Sequence, residues 1–347
     1  MSTKYYPLLK STVSELRALK SLDKDDLSNI MPVFELTKSR KSKNNLGSDV
    51  YKKVDEILNI VGDSEFVLDL TNEESLSNAQ IESFFDDNNS FYNWTDFIKR
   101  IVEEKKANVI PMLLAYEDTS KDILMKQASR LFRVCERISV RIPVELVSKP
   151  IVDELLSVIE EYSEIKVFID LGYVNKSNIS EKVARAEELL GAVLHVDDGI
   201  DLVLLVSSFP SSVVEVVPQD EKMSSKFPVY GQKIYQYLTK IDPELQYGDY
   251  ACIHPYRGEP RPMIWIPRID YPYDNHILFE RSRRESGGYE TCASAIVTNP
   301  LYKKYYINCW GTKEIDSASN GVVNGKNPSY WISVRSNIHM TRMARLE

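Results

Sequence analysis

The chain has 347 residues, 43% of them hydrophobic and 27% charged, with a formal net charge of −8. That is ordinary globular composition, with material for a sizeable core, and it excludes a chain dominated by disorder. The acidic balance argues against nonspecific binding of long nucleic acid by the whole surface. The absence of any apolar run near the roughly 18 residues of a membrane span predicts a protein without membrane partners.

In chain order, Met1–Leu22 lacks a signal peptide's apolar centre, and within it Val13–Leu22 predicts a short helix capping a barrel floor. Strand-like runs follow at Met31–Leu36, Phe66–Leu70, Val109–Tyr116, Ile138–Val144, Lys166–Leu171 and Leu202–Val206. Each is short and apolar and ends in polar or turn-forming residues, as strands covered by helices do. Between them, Val50–Ile60, Trp94–Val102, Ile123–Cys135, Ile151–Ile159 and Val183–Leu190 repeat apolar residues at helical spacing. Alternating strands and helices imply a parallel sheet. A doubly wound open sheet competes, but no Gly-rich phosphate loop follows the first strand and the units continue past the sixth. The expected class is therefore α/β, a (β/α)8 TIM-barrel-like fold.

Further on, Phe227–Leu238 reads as a helix and Tyr247–His254 as the seventh strand. Met263–Ile269 and Ile277–Glu280 compete to be the eighth, the other being a hairpin arm, and Tyr289–Val297 is the closing helix. An irregular C-terminal extension then carries Tyr305–Trp310 as a strand, a loop with Gly311, Gly321 and Gly325, and a strand-to-helix piece, Tyr330–Arg345. The division expected is a capped barrel over residues 1–300 and an extension over 301–347 packed on it.

Side chains alternate across a strand. By that rule Glu35, Asp69, Arg141 and Asp170 leave the apolar, helix-facing side of their strands and point into the barrel near its C-terminal end, where barrel enzymes place their active sites. The same parity assigns Glu117 and Ser208 to the ends of the third and sixth strands. Buried charges need partners, so these groups form a polar substrate site, an internal salt-bridge network around Arg141, or an oxygen-ligand set for Mg²⁺ or Mn²⁺. His254, just after a strand, is a candidate general acid or base, with a hydrogen-bonded structural histidine as the alternative.

Two basic features stand out against the acidic whole. Lys38-Ser39-Arg40-Lys41-Ser42-Lys43 follows the first strand of this reading and places Lys38 on the functional face. Arg257, Arg261, Arg268, Arg281, Arg283 and Arg284 interleave with Tyr256, Trp265, Tyr271 and Tyr273. Arginine with aromatics suits phosphate, nucleotide or single-stranded nucleic acid. Solvated loops, or pairing with Asp249, Glu259, Asp270 and Glu280, are the plainer alternatives. Cys135, Cys252, Cys292 and Cys309 are widely spread and form no CxxC motif, which predicts reduced thiols in a cytoplasm. HExxH, Gly-x-Ser-x-Gly and Walker A patterns are absent.

Tyr6-Pro7-Leu8-Leu9-Lys10 with Glu15 and Ala18-Leu19, Pro32-Val33-Phe34-Glu35-Leu36-Thr37, Phe209-Pro210-Ser211-Ser212, Tyr247-Gly248-Asp249-Tyr250-Ala251, and Trp331-Ile332 leading to His339 together resemble the beta protein family of bacteriophages, prophages and bacterial mobile elements. The resemblance spans nearly the whole chain. It implies a barrel-like fold and a setting in phage–host conflict, with positional emphasis on Glu35, Asp69, Asp170, Asp249 and His339 but no catalytic roles. The segment Arg335–His339 carries one histidine where the family has a pair. The expected function is anti-phage defence or counter-defence through a phosphate-bearing ligand, nucleotide or nucleic acid, at the C-terminal end of the barrel. Lys38, Ser208, Asp249, Arg257, Arg268 and Arg281 are the candidate ligand contacts. A non-catalytic scaffold docking a protein from a neighbouring gene, and a metabolic barrel enzyme on sugar or nucleotide phosphates, are the alternatives.

Overall fold

A computed structural model describes residues 4–256 and 265–346. Its elements run β1 (Tyr6–Lys10), α1 (Val13–Lys20), α2 (Lys24–Ser28), β2 (Val33–Leu36), α3 (Val50–Val61), β3 (Phe66–Leu70), α4 (Ala79–Phe84), α5 (Tyr92–Lys105), β4 (Val109–Pro111), α6 (Lys121–Phe132), β5 (Ile138–Pro143), α7 (Pro150–Glu161), β6 (Ile165–Tyr173), α8 (Ile179–Val196) and β7 (Asp201–Ser207). They continue with β8 (Ser224–Pro228), α9 (Gly231–Leu238), β9 (Gln246–Asp249), β10 (Arg268–Tyr273), β11 (His276–Arg281), α10 (Gly288–Thr298), α11 (Pro300–Lys304), α12 (Trp310–Ser319) and α13 (Pro328–Ala344).

Eight parallel strands hydrogen-bond in the order β4-β3-β2-β1-β9-β7-β6-β5. A parallel bridge between Met112 and Ser139 joins the two ends, with Leu113 N donating to Ser139 O at 2.8 Å. The sheet thus closes into a (β/α)8 barrel. Strand alternation produces two cores. Phe34, Leu36, Phe66, Leu68, Val140, Ile142, Val167 and Ile169 face the helices, and Leu8, Val33, Val67, Ile110, Phe168, Val203 and Leu205 fill the interior.

Helices form where apolar spacing and caps agree. In α3, Val50, Val54, Ile57 and Val61 are buried on one face, and the Asp49 side chain accepts from Tyr51 N at the N-terminus. Helix α1, read from sequence as a cap, follows β1 directly and lies against α3 and α13.

The eighth barrel strand is β1, so neither Met263–Ile269 nor Ile277–Glu280 closes the barrel. Pro7 lies within β1, and a proline demotes a five-residue run to an edge or a non-strand when only sequence is considered. From Arg268 onward the first of the two late runs is β10; its residues 263 and 264 lie outside the described set. β10 pairs antiparallel with β11, and β11 with β8, in a separate three-stranded sheet. The β10–β11 turn holds Asp274 at a φ of 44°, and Asp tolerates this conformation better than most side chains.

Three further expectations change. Phe227 belongs to β8, and only Gly231–Leu238 is helical. Tyr305–Trp310 is not a strand: Cys309 N accepts a cap from Thr312 Oγ1 and α12 begins at Trp310. Tyr330–Arg345 contains no strand portion, since α13 starts at Pro328 with the Asn327 side chain accepting from Tyr330 N. Ile269, Tyr271, Ala293, Ile296, Ile315, Val334 and Ile338 make a second core among β10, α10, α12 and α13.

Gly248 on β9 faces the barrel interior. A Cβ there would lie 2.5 Å from Tyr6 O and 2.7 Å from Leu205 Cδ2, and the carbonyl belongs to the paired strand β1. Gly248→Ala is therefore expected to destabilise the protein by about 1–3 kcal/mol through overpacking, measured as a lower urea midpoint. An unchanged midpoint would contradict the packing described.

Candidate functional site

Six of the eight barrel strands, or the loops that follow them, send polar groups to the C-terminal mouth. Arg141 of β5 is the hub. Its Nη1 donates to Glu35 Oε1 of β2 at 2.9 Å, its Nη2 lies 2.9 Å from Asp69 Oδ2 of β3, and Nη1 lies 3.9 Å from Asp170 Oδ2 of β6. Lys10, ending β1, extends the cluster, with Nζ 2.9 Å from Glu35 Oε2, 3.1 Å from Glu73 Oε1 and 2.7 Å from Pro255 O. Tyr250, after β9, donates to Asp170 Oδ2 at 2.6 Å, and Gly172 N donates to Asp170 Oδ1 at 2.8 Å. The four parity-selected residues thus share one polar cluster, and Lys10, Glu73 and Tyr250 join it. Lys10 becomes readable once Tyr6–Lys10 is taken as a strand, because period two turns it inward beside Glu35.

Within this cluster the carboxylates titrate differently. Burial raises every one of them, but Lys10 and then Arg141 outweigh burial at Glu35 and hold it below its usual value. At Asp69 burial outweighs Arg141, reinforced by Glu35 and Asp170, and the carboxyl is pushed up to about 6. Asp170 is raised for the same first cause. Arg141 sits 2.9 Å from both Glu35 and Asp69, where an oxygen-ligated Mg²⁺ or Mn²⁺ would have to lie. Among the described residues no three His, Cys, Asp or Glu side chains converge as metal ligands. The mouth carboxylates therefore do not fit a divalent cation.

Beside this cluster lies a cleft of about 490 Å³, between the barrel mouth and the C-terminal helices. Arg268, Arg281 and Arg335 line it. Arg268 Nε donates to Asp270 Oδ2 at 3.1 Å, and Arg335 Nη1 donates to the same oxygen at 2.7 Å. Arg281 Nη1 donates instead to the backbone carbonyl of Lys222 at 3.1 Å. Arg335 is only 5% exposed, its guanidinium lies 3.9 Å over the Phe209 ring, and its Nε has no hydrogen-bond partner. Burial, with repulsion from Arg268, lowers the pKa of both Arg335 and Arg281. Aromatic walls complete the cleft. Tyr289 stacks on Trp331 at 5.1 Å, and Trp265 is 41% exposed with Arg284 4.3 Å over its ring.

The remaining sequence candidates disperse. His254 lies on the cleft rim with Nδ1 2.8 Å from Tyr256 O and its ring 4.7 Å from Tyr173. Lys38 is half-buried in the loop after β2, with its backbone N bonded to Leu76 O. Ser208 does not point inward: its hydroxyl accepts from Tyr230 N at 3.0 Å. The inward serine is Ser207, in step with Val203 and Leu205, and it donates to Ile253 O at 2.9 Å. Glu117 lies in the loop after β4, 3.3 Å from Lys149. Asp249 follows the outward Tyr247 parity and pairs with His339 at 2.6 Å behind the barrel wall. Arg257 and Arg261 lie outside the described residues. Arg335 was the missed cleft residue: it lies on α13, far along the chain from the arginines around β10 and β11.

The family model described as Beta protein matches residues 5–345. Protein beta of Enterobacteria phage P4 is 27% identical over 349 aligned positions, covering 99% of this chain and 93% of that protein. Among solved structures, the crystal structure of the Clostridial cellulose synthase subunit Z (CcsZ) from Clostridioides difficile aligns at a TM-score of 0.39 and 11% identity, over 71% of this chain and 91% of that one. A similarity that low carries no argument here.

Asp69 gives the mouth cluster a measurable signature. Its folded pKa lies above its ordinary value, so the stability it contributes is fully present below about pH 4 and is lost as the pH rises through about 6. Urea titrations should show the wild type losing stability relative to Asp69→Asn across that window. A pH-independent difference between the two would contradict the environment assigned to Asp69.

Proposed function

The chain belongs to the Beta protein family, and from that premise we propose that it binds a phosphate-bearing ligand, a nucleotide or short nucleic acid, in the cleft at the C-terminal end of the barrel, and through it acts in anti-phage defence or counter-defence. The observation that carries this reading is the arginine set of the cleft. Arg268 and Arg335 both lean on the single Asp270, and Arg281 reaches only a neutral carbonyl. Three guanidiniums around one carboxylate attract an anion, and a phosphate offers the oxygens to which guanidinium groups donate in pairs. The unpartnered Nε of Arg335 adds a buried donor that an anion would satisfy. Trp265 and Tyr289 supply faces on which a base can stack. The phage setting is supported by the similarity to protein beta of phage P4.

On this reading the mouth cluster is the floor of the site. Lys10 ties the β1 end to Pro255 O, directly after His254 on the cleft rim, and so holds that rim in place. A second reading, a scaffold that docks a protein partner without chemistry, draws on the same cluster. Glu35, Asp69 and Asp170 are all engaged by Arg141, which leaves no carboxylate poised as a base.

Calorimetric titration with ATP, ADP and a short oligothymidylate at low salt tests the first reading. Binding is expected, with Arg268→Ala and Arg281→Ala each weakening it about tenfold or more, since a hydrogen bond to a charged group contributes about 1.5–3 kcal/mol. Absence of heat from all three ligands, or affinity unchanged in both variants, would end it. In phage-plating assays the double variant should lose its biological effect; full retention would favour the scaffold.

A further inference from the structure

Behind β9, on the side away from the cleft arginines' Asp270, a second set of reactive groups meets. Asp249 accepts hydrogen bonds from Tyr5 Oη, from Tyr247 Oη at 2.9 Å and from Ala251 N at 2.8 Å. Its Oδ2 lies 2.6 Å from His339 Nε2, which α13 delivers across the barrel wall. Four partners fix this carboxylate and, through it, the imidazole ring. The Cys252 thiol is a second hydrogen-bonding neighbour of the same ring.

Cys252 is also held in an unusual backbone shape. Ala251 and Cys252 follow β9 at φ values of 46° and 60°. Consecutive left-handed residues other than glycine are costly and persist only where surroundings enforce them. Here the Asp249–Ala251 N bond and the Tyr250–Asp170 bond pin the turn from both sides. The result presents the thiol to a cavity of about 40 Å³, also lined by His339, Asp249, Gln232 and Ser207. That is little more than the roughly 30 Å³ a water molecule occupies in the liquid.

The other cysteines are placed differently. Burial pushes the thiols of Cys135 and Cys292 up to about 12. Cys309 serves as the N-cap of α12. At His339, burial opposes the proton, but Asp249 outweighs it and raises the ring well above its ordinary value. The ring is thereby suited to holding a proton taken from a neighbouring thiol.

We propose that Cys252, His339 and Asp249 form a thiol site whose substrate class is a small peroxide. His339 holds the thiol proton while Cys252 Sγ attacks one peroxide oxygen. The S–O bond forms as the O–O bond breaks, and the departing hydroxide takes the proton from His339 and leaves as water. Cys252 is oxidised to a sulfenic acid and the peroxide is reduced to water and the sulfenic hydroxyl. Asp249 is a positioning residue: it orients the ring and balances its charge.

The test uses the full chain. Native protein is exposed to hydrogen peroxide, quenched with catalase, denatured and alkylated with iodoacetamide, and mass spectrometry reads the surviving thiol at each cysteine. Cys252 is expected to be consumed at least about tenfold faster than Cys135 and Cys292. It should also be consumed faster in the native chain than in the same chain unfolded in urea, because unfolding removes His339 while improving access. His339→Gln should bring Cys252 down to the rate of the other two. Equal rates at all cysteines in the native chain, or faster oxidation of Cys252 in urea, would overturn the proposal without requiring that any variant fold.

Discussion

The guanidinium of Arg141 is surrounded by carboxylates from three other strands, and the top of the barrel is organised around that contact. An unpaired charge in such a place would cost several kcal/mol, so each member depends on the rest being present. Glu35 stays ionised because Lys10 and Arg141 flank it, and Asp69, with Arg141 alone, does not hold its proton off as well. One guanidinium shared among three acids therefore sets both the geometry of the mouth and the order in which its acids titrate.

This arrangement divides the charge of the molecule into two neighbouring regions of opposite character. At the mouth, carboxylates outnumber the cations that hold them. In the cleft beside it, three arginines share Asp270. An acidic protein can hold a local anion site when the low-dielectric walls of a cleft separate it from the acidic surface. Here the mouth cluster consumes its own charge internally, so its field on the cleft is small. The same frame positions the group behind β9: Tyr250 bonds Asp170 inside the barrel, and two residues later Cys252 lies outside it beside His339.

Much of this was legible in the chain because a closed parallel barrel buries both faces of its strands, and period two then sorts residues without further information. Glu35, Asp69, Arg141 and Asp170 were found that way, although each comes from a different strand. The method failed where the strand itself was misread. Pro7 concealed β1, and with it Lys10. A one-residue error in parity exchanged Ser208 for Ser207. The eighth strand was sought near residues 263–280, where Ile269, Tyr271 and Ile277 alternate well enough for a barrel strand but pair antiparallel in a hairpin. Arg335 and His339 belong to no strand pattern. They lie on a helix whose place against β9 and β10 is decided by tertiary packing, and nothing local in the sequence states which distant groups they meet.

The claim that Arg141 and the mouth carboxylates act as one unit is tested most directly by a double-mutant cycle in urea, comparing Arg141→Met, Glu35→Gln and the pair. Arg141→Met alone is expected to cost about 3–5 kcal/mol by stranding its acids, and adding Glu35→Gln should recover part of that loss, with a coupling energy of about 1 kcal/mol or more. Losses that simply add, to within about 0.5 kcal/mol, would mean that the two residues stand side by side without depending on each other.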